Sequence, residues 1–394
     1  MSAKDTGFQP NLGGTLTQLE TAQLVRRLGE EAMYMFRHAL TQDATYQSLL
    51  LKQRREMHLQ VAQAYEELFA HRLDEFAPVL GLHFALAGER DKAVFYLRQA
   101  AKFQMTRYAY AEVTQNLELA LTLFKPEEVN GIFLVLLEES GDAYRFCRDS
   151  ARAIAHYQQA LAVWNKVDGA ERLTKVRLHR KIIQVTVDFM FTVKMAVEHG
   201  NSIVSTAREE LKVELELLAG ASPDPEIVQA LGALSIYALR IQSPPDWDAA
   251  MRFAQEAVTM AESLAAPVIL SSALDALANI YDARNRLREH LQMASRRLAL
   301  TQSLGFDDLR EKIDALRGIG MAQMYIGEYQ VALPFLREAE SLAEKIQAHE
   351  LHTYATALQA QCLFRLDRWD DVLELEKKWR TLEQQYSREQ VGVT

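Results

Sequence analysis

The sequence predicts an all-α fold built from stacked helical hairpins, and three observations support this. Among 394 residues only 9 are proline and 17 are glycine, whereas apolar residues make up 49% and charged residues 25%. The chain is dominated by Ala, Leu, Glu, Gln and Arg, which favour helices, and few stretches are rich in the β-branched residues that favour strands. One spacing of small and large apolar residues also recurs along the chain, which is typical of a repeat array.

The recurring spacing is clearest in residues 327–339, GEYQVALPFLREA. Gly327 lies where a tight turn between two helices needs a glycine. Ala332, Leu336 and Ala339 follow at steps of four and three residues, so they share one helical face. Related stretches occur at 88–100, 151–164, 246–258, 287–297 and 368–379.

In the later copies the position equivalent to Ala332 falls at residues 250, 290, 332 and 372, whether or not it is an alanine, so the copies are 40, 42 and 40 residues apart. The copy at 287–297 keeps only Leu287 and Ala294 of the spacing. Another amphipathic helix precedes the well-formed copies, LRGIGMAQMYI in one case and LEESGDAYRF in another. The unit is therefore a helical hairpin, which buries its apolar face only when several copies stack.

This spacing resembles the tetratricopeptide repeat, in which G-x-Y-x-x-A-x-x-x-[FYL]-x-x-A follows a helix carrying a Gly or Ala. Residues 316–339 match this pattern well, and the copies at 250, 290 and 372 are degenerate. The resemblance implies a right-handed superhelical solenoid with a concave inner face. Residues 165–225 fit the period poorly, and we expect two long helices there, over 171–200 and 202–220. Pro334 lies inside a predicted helix and is expected to bend it.

The N-terminal third shows a second resemblance. The run from Leu16 to Leu68 is similar to a segment of bacterial STAND-type ATPases, some of them adenylate cyclase-like or related to the maltose-regulon activator. In those proteins a winged-helix-like unit follows the ATPase module and leads into tetratricopeptide repeats. The matching residues are Leu24 and Val25 in the predicted last helix of that unit, then Tyr34, Phe36, Arg37, His38, Ala39 and Leu40, and then Tyr46, Leu49, Leu50, Arg54, Arg55 and His58.

The ATPase module itself is not matched, because no GxxxxGK[ST] occurs in the sequence and Gly13-Gly14 is followed by Thr-Leu-Thr. ATPase or cyclase activity is therefore not carried over. The expected organisation is a disordered tail and the end of a winged-helix-like unit over 1–40, with one strand around MYMFRH. A helical linker and the first hairpins follow over 41–125, and a degenerate repeat array over 126–394. SAKDTGFQPNLGG before the matched segment is expected to be unstructured.

Charge and composition exclude several classes of function. The net charge is −9 and no long basic run occurs, which argues against direct nucleic-acid binding. No apolar run approaches the ~20 residues that a membrane helix needs, and the N-terminus lacks the apolar run of a signal peptide. Cys147 and Cys362 are the only cysteines, which suits a reducing compartment. We therefore expect a cytoplasmic protein.

Candidate catalytic and metal-binding residues form no complete set. His38 is expected to anchor a strand-to-helix junction by hydrogen bonds, and His58 and His83 are expected to pack within helices. His349 and His352 share a helix face, but HELH is not HExxH and a third metal ligand is missing. We therefore expect no enzyme activity and no cofactor.

The concave face is where the sequence places a binding site. If the repeat alignment holds, Asp142, Arg145, Asn279, Asp282 and Arg317 project inward from first helices. They would contact a peptide or protein partner, or else form an ordinary solvated helix surface. The leading hypothesis is a non-enzymatic interaction scaffold or sensor region of a signalling ATPase or cyclase-like regulator. The alternatives are a small-molecule sensor domain of a transcription activator, and the non-catalytic end of a longer ATP-dependent enzyme.

Overall fold

The computed structural model describes residues 12–28, 33–107, 109–125, 130–167, 169, 171–189, 197–301, 309–346 and 348–391. Within them lie eighteen helices and one two-stranded sheet, which confirms the predicted all-α class. The chain divides into two compact units, Met1–Phe103 and Gln104–Thr394. This division falls inside the segment 41–125, and the boundaries expected at 40 and 125 stay predictions.

The first unit combines a small hairpin sheet with helices. Its elements are α1 (Leu12–Thr21), β1 (Val25–Leu28), β2 (Met33–Phe36), α2 (Ala39–Ser48), α3 (Leu51–Leu68), α4 (Leu73–Ala87) and α5 (Arg90–Met105), the last of which extends across the division. The two strands are antiparallel, with Val25 opposite Phe36 and Leu28 opposite Met33. The strand expected around MYMFRH is thus present.

Three expectations for this unit are wrong. Val25, expected in a helix, begins β1, where it is buried and pairs with Phe36. The segment expected to be unstructured already becomes helical at Leu12, while residues 1–11 lie outside the described residues. His38 precedes α2 as its N-cap, but its exposed side chain makes no capping hydrogen bond, and only its backbone carbonyl accepts, from Thr41 and Gln42.

The second unit is a row of antiparallel helical hairpins. Its helices are α6 (Tyr110–Thr122), α7 (Gly131–Phe146), α8 (Ser150–Trp164), α9 (Arg172–Phe189), α10 (Val197–Leu217), α11 (Pro225–Arg240), α12 (Trp247–Glu262), α13 (Pro267–Ala283), α14 (Leu287–Thr301), α15 (Leu309–Tyr325), α16 (Tyr329–Lys345), α17 (His349–Arg365) and α18 (Trp369–Val391). From α7 onward each odd-numbered helix pairs with the helix that follows it to form a hairpin. The second helix of a hairpin also packs on the first helix of the next one, as α12 does on α13, α14 on α15 and α16 on α17. The first helices α11, α13, α15 and α17 also contact one another in sequence.

Two long helices were expected between residues 171 and 220, and two are present. The break expected at residue 201 is absent, because α10 is continuous from Val197 to Leu217. Val204, Ala207 and Leu211 bury one face of this helix, so packing holds it together. Residues 190–196, which include part of the expected first helix, lie outside the described residues. Pro334 is accommodated inside α16, which continues to Lys345.

In three hairpins a glycine of the first helix faces a large side chain sixteen residues later. A Cβ built on Gly320 would lie 2.6 Å from Leu336, and one on Gly81 would lie 2.6 Å from Leu97. Gly141 faces the ring of Tyr157 in the same way. The large partners Leu97, Tyr157 and Leu336 are completely buried. The absence of a side chain at these glycines therefore sets how closely the two helices approach.

The last three helices are joined by one buried carboxylate. Glu340 of α16 accepts hydrogen bonds from Gln359 Nε2 (2.8 Å) on α17 and from Lys378 Nζ (2.9 Å) on α18. His352 Nε2 lies 3.5 Å from the same carboxylate, a weak contact at that distance. Together His352, Gln359 and Lys378 lower the pKa of Glu340 to about 2, although burial acts in the opposite direction.

We expect opposite effects from glycine-to-alanine substitution at two helical positions. Gly320→Ala would overpack the contact with Leu336 and destabilise the chain by about 1–3 kcal/mol. Gly232→Ala in α11 meets nothing within 4 Å and should stabilise by about 0.5–1 kcal/mol, since alanine favours the helix. Urea midpoints followed by circular dichroism measure both, and equal signs would contradict the packing argument.

We also expect Glu340 to make the chain acid-sensitive. Because folding lowers its pKa from 4.5 to about 2, the stability it contributes is complete above about pH 4.5 and is lost as the pH falls towards 2. Between pH 6 and pH 3 the wild type should therefore lose more stability than Glu340→Gln. Glu338→Gln removes a half-exposed carboxylate of the same helix as Glu340, 3.4 Å from Lys312 on α15, and should behave like the wild type. Parallel urea titrations at the two pH values decide this.

Candidate functional site

The candidate site is the surface formed by the first helices α11, α13, α15 and α17, which we call the first-helix face. A connected set of polar side chains spans these helices. Its centre is Arg297, which comes from the second helix α14 and is only 4% exposed. A buried guanidinium is tolerated only when its charge is compensated and its N–H groups are bonded.

Arg297 meets this requirement with three carboxylates and a hydroxyl. Its Nη1 donates to Asp275 Oδ1 (2.6 Å), and its Nη2 donates to Asp314 Oδ2 (2.6 Å) and Glu311 Oε1 (2.9 Å). Its Nε donates to Ser271 Oγ at 3.1 Å. These acceptors belong to α13 and α15, so one side chain ties α14 to two successive first helices.

From Asp275 the network continues along α13 to α11. Asn279 Nδ2 donates to the Asp275 carboxylate at 3.1 Å and to its backbone carbonyl at 2.8 Å. The amide oxygen of Asn279 accepts from Arg240 Nη2 at 2.6 Å. Both ends of the Asn279 amide are thus bonded, which fixes its orientation on the face.

From Asp314 the network continues to α17. Burial raises the pKa of Asp314, but Arg297 and Arg317 outweigh it and hold that pKa well below its usual range. Arg317 donates to Asp314 Oδ1 from Nε (2.9 Å) and Nη2 (2.7 Å). The Arg317 guanidinium lies 6.0 Å from the ring centre of Tyr354, which is largely exposed.

Sequence reasoning missed Arg297. In the spacing of the repeat, Arg297 stands where the neighbouring copies have Ala257 and Ala339, both fully buried. His290 likewise stands where they have Ala250 and Ala332. The copy at 287–297 was recognised as degenerate from the sequence. The two polar residues at its alanine positions were the signal that could have pointed to Arg297. Arg297 passes close to Gly318, where a Cβ would lie in ordinary contact with Nη1 at 3.7 Å.

Three of the five residues predicted to bind a partner come together on the first-helix face. Asn279, Asp282 and Arg317 lie on α13 and α15, and Asp282 and Arg317 both act electrostatically on Tyr325 at the end of α15. Burial raises the pKa of Tyr325, and Asp282 raises it further, whereas Arg317 and Arg240 lower it. These side chains therefore share one neighbourhood.

The other two predicted residues lie on α7 in a separate cluster. Asp142 accepts hydrogen bonds from the Tyr157 hydroxyl (2.7 Å) and from Lys181 Nζ (2.6 Å). Burial and the Asp142 carboxylate raise the pKa of Tyr157. Arg145 lies in the last turn of the same helix, 5.8 Å from the ring centre of Phe146. The Asp142 carboxylate is thus committed to contacts inside the protein, and its role in binding a partner stays a prediction.

Among the described residues there is no group of three or more His, Cys, Asp or Glu side chains arranged to hold a metal ion. The side chain of His349, half of the histidine pair considered above, lies outside those residues. No described helix combines the length and apolar character required to cross a bilayer.

Comparison with known proteins supports the fold. No family model and no curated protein matches the sequence. Among solved structures, the Rap protein complexed with Competence and Sporulation Factor is similar at a TM-score of 0.50 and 10% identity, over 86% of this chain and 98% of that chain. The fold is a tetratricopeptide-like solenoid.

Two further solved structures with this kind of likeness have lower TM-scores. NprR in complex with its cognate peptide NprX gives 0.47 at 11% identity, over 83% of this chain and 88% of that chain. A STAND protein with a tetratricopeptide repeat sensor from Pyrococcus horikoshii gives 0.46 at 11% identity, over 96% of this chain and 53% of that chain. The tetratricopeptide-like chain thus spans about half the length of that STAND protein.

Removal of the buried guanidinium gives a direct test of the network. Arg297→Met would leave Asp275, Glu311 and Asp314 without their shared cation, and we expect a loss of about 3–5 kcal/mol near pH 7. The deficit should shrink at pH 4.5, because protonation relieves the uncompensated carboxylates. Arg296→Met, which removes the adjacent, more exposed arginine paired with Glu262, should cost less than about 1 kcal/mol. Urea midpoints measure both variants, and similar losses at positions 296 and 297 would contradict this account.

Proposed function

We propose that this chain is a non-enzymatic interaction scaffold whose first-helix face binds an extended peptide or a peptide segment of a partner protein. The observation that carries the proposal is the continuous polar network from Arg240 on α11 to Tyr354 on α17. It places charged, amide and aromatic groups in a row on four successive helices.

The rigidity of this row favours binding. The Asn279 amide and the Arg317 guanidinium are held by neighbouring side chains, so less conformational entropy is lost when they meet a ligand. An extended peptide presents backbone donors and acceptors at regular intervals, which a row of fixed polar groups on successive helices can meet.

Exposed aromatic side chains add contact area to the same face. Tyr325 and Tyr354 are 42% and 54% exposed, and each lies beside an arginine-containing part of the network. Tyrosine and arginine are the residues that most often dominate binding energy at protein interfaces. We therefore place the main anchoring contacts at α13, α15 and the start of α17.

The comparisons are consistent with this proposal. The Rap structure, which is similar in fold, contains Competence and Sporulation Factor as its bound partner. A signalling context for this chain is part of the proposal and rests on the resemblance of its N-terminal third to STAND-type regulators. In this proposal the ligand contacts the three face residues predicted from the sequence, which are Asn279, Asp282 and Arg317.

The proposal is tested by selecting peptides on the full chain. A random nonapeptide library displayed as mRNA fusions should yield enriched sequences that bind the purified chain, measured by fluorescence anisotropy. Tyr354→Ala should weaken the binding of these peptides about tenfold or more, since the substitution removes an exposed aromatic contact of the face.

Phe95→Ala provides the matched control, because Phe95 is an exposed aromatic residue of the first unit. The Phe95→Ala variant should bind the selected peptides with the same affinity as the wild type. Absence of any enriched peptide, or peptides whose affinity is the same for Tyr354→Ala and wild type, would overturn the proposed site.

A further inference from the structure

Most charges of the first-helix face neutralise one another. Arg297 is paired with Asp275, Glu311 and Asp314, and Arg317 is paired with Asp314. A charged ligand group would have to break these short ion pairs in order to be neutralised by their charges, which is costly for buried groups. The charges available to a ligand must therefore be found elsewhere on the face.

Arg240 is one available charge. It is the last residue of α11 and is exposed. Its Nη2 donates to the neutral amide of Asn279, and within the described part of the chain no carboxylate lies within ion-pair distance of it. Asn279 thus orients the guanidinium without neutralising it.

Asp282 is a second available charge. It lies in the last turn of α13, and no lysine or arginine among the described residues forms an ion pair with it. A carboxylate at the C-terminus of a helix is disfavoured by the helix dipole. Asp282 therefore occupies this position without the compensation that a protein cation would provide.

A buried histidine points to the same carboxylate. His290 is only 2% exposed, and its Nδ1 has no hydrogen-bond partner among the described residues. This atom lies 3.7 Å from Asp282 Oδ1, beyond hydrogen-bond length. A buried polar atom without a partner is uncommon in folded proteins, and here it faces the unpaired carboxylate.

The two unpaired charges lie in one neighbourhood. Arg240 and Asp282 both act on the hydroxyl of Tyr325, which ends α15. Arg240 contacts Asn279, and Asp282 follows Asn279 by three residues, a rise of about 4.5 Å along α13. Alternate side chains of an extended peptide lie about 7 Å apart on the same side, so two of them can reach neighbouring positions on this face.

We propose that the segment bound on this face carries a basic and an acidic side chain two residues apart, with the base on Asp282 and the acid on Arg240. This inference rests on the proposed function and gives the chemistry of the ligand. Either charge alone would leave one protein charge uncompensated in the interface, so a ligand of a single sign would bind less well.

The test compares the residues enriched by three forms of the full chain from the same random nonapeptide library. Wild type should enrich Lys or Arg together with Asp or Glu two positions away, at least threefold over the starting library. Asp282→Asn should lose the preference for the base and keep that for the acid, and Arg240→Gln should do the reverse. Arg240 is exposed and Asp282 is partly buried, so the circular dichroism melt of each variant is compared with that of the wild type.

Two matched variants serve as controls. Asp248→Asn and Arg284→Gln remove a carboxylate and an arginine that already contact each other, and should reproduce the wild-type profile. A synthetic peptide from the selection is then used in a double-mutant cycle. Replacing the basic residue of the peptide by serine should weaken its binding to the wild type about tenfold, and its binding to Asp282→Asn less than twofold.

The outcomes separate this inference from the proposed function. If peptides bind and depend on Tyr354 but show no paired charges, or if the Asp282→Asn and Arg240→Gln profiles match wild type, the charge inference is overturned and the site stands. If no peptide is enriched, or binding does not depend on Tyr354, the site and the charge inference both fail.

Discussion

The rest of the structure depends on the close approach of the two helices within each hairpin. Where the first helix has a glycine, the side chain sixteen residues later fills the space directly: Leu97 against Gly81, Tyr157 against Gly141 and Leu336 against Gly320. Because the helices are so close, each hairpin presents a continuous apolar surface to the next one. Stacking then buries the remaining alanines and leucines, which no single hairpin could do.

Arg297 shows what happens when one of these small residues is replaced by a large charged one. An arginine in an alanine position would disrupt the stack if its charge were uncompensated. Here the side chain passes beside Gly318 and reaches carboxylates on both adjacent first helices. The same contacts that make the arginine tolerable also order Asn279 and Arg317 on the surface. A requirement of the core thereby determines the arrangement of polar groups on the first-helix face.

Much of the fold follows from sequence periodicity, because helix propensity and the four-and-three spacing both act over short distances. The hairpins around Gly320 and Gly141 were predicted for this reason. The strand at Val25 was not, because its pairing depends on Phe36, eleven residues away, which four-residue patterns specify poorly. The helical continuity across residue 201 was missed because the burial of Val204 and Leu211 outweighs the low helix propensity of a Gly-Asn pair.

The candidate site could be predicted only in part, for a different reason. Repeat offsets identify Asn279, Asp282 and Arg317 as first-helix residues, but they do not tell which charges are already paired. Pairing depends on side chains from other helices, such as Arg297 and Lys181, whose reach is set by packing. The sequence can therefore flag Arg297 as a polar residue at an alanine position, but its partners follow only from the three-dimensional packing.

Two equivalent positions show how such pairing decides where a charged ligand can be held. Asp142 and Asn279 each follow the small residue of the first helix by one position. At the first, a carboxylate is neutralised by Lys181, so that part of the row keeps no free charge at this position. At the second, the neutral amide of Asn279 accepts from Arg240 and leaves the positive charge of Arg240 uncompensated. Asp282, three residues after Asn279, has no lysine or arginine partner among the described residues either. The difference between a carboxylate and an amide at one repeat position thus moves the charge available for recognition to the part of the array around α13.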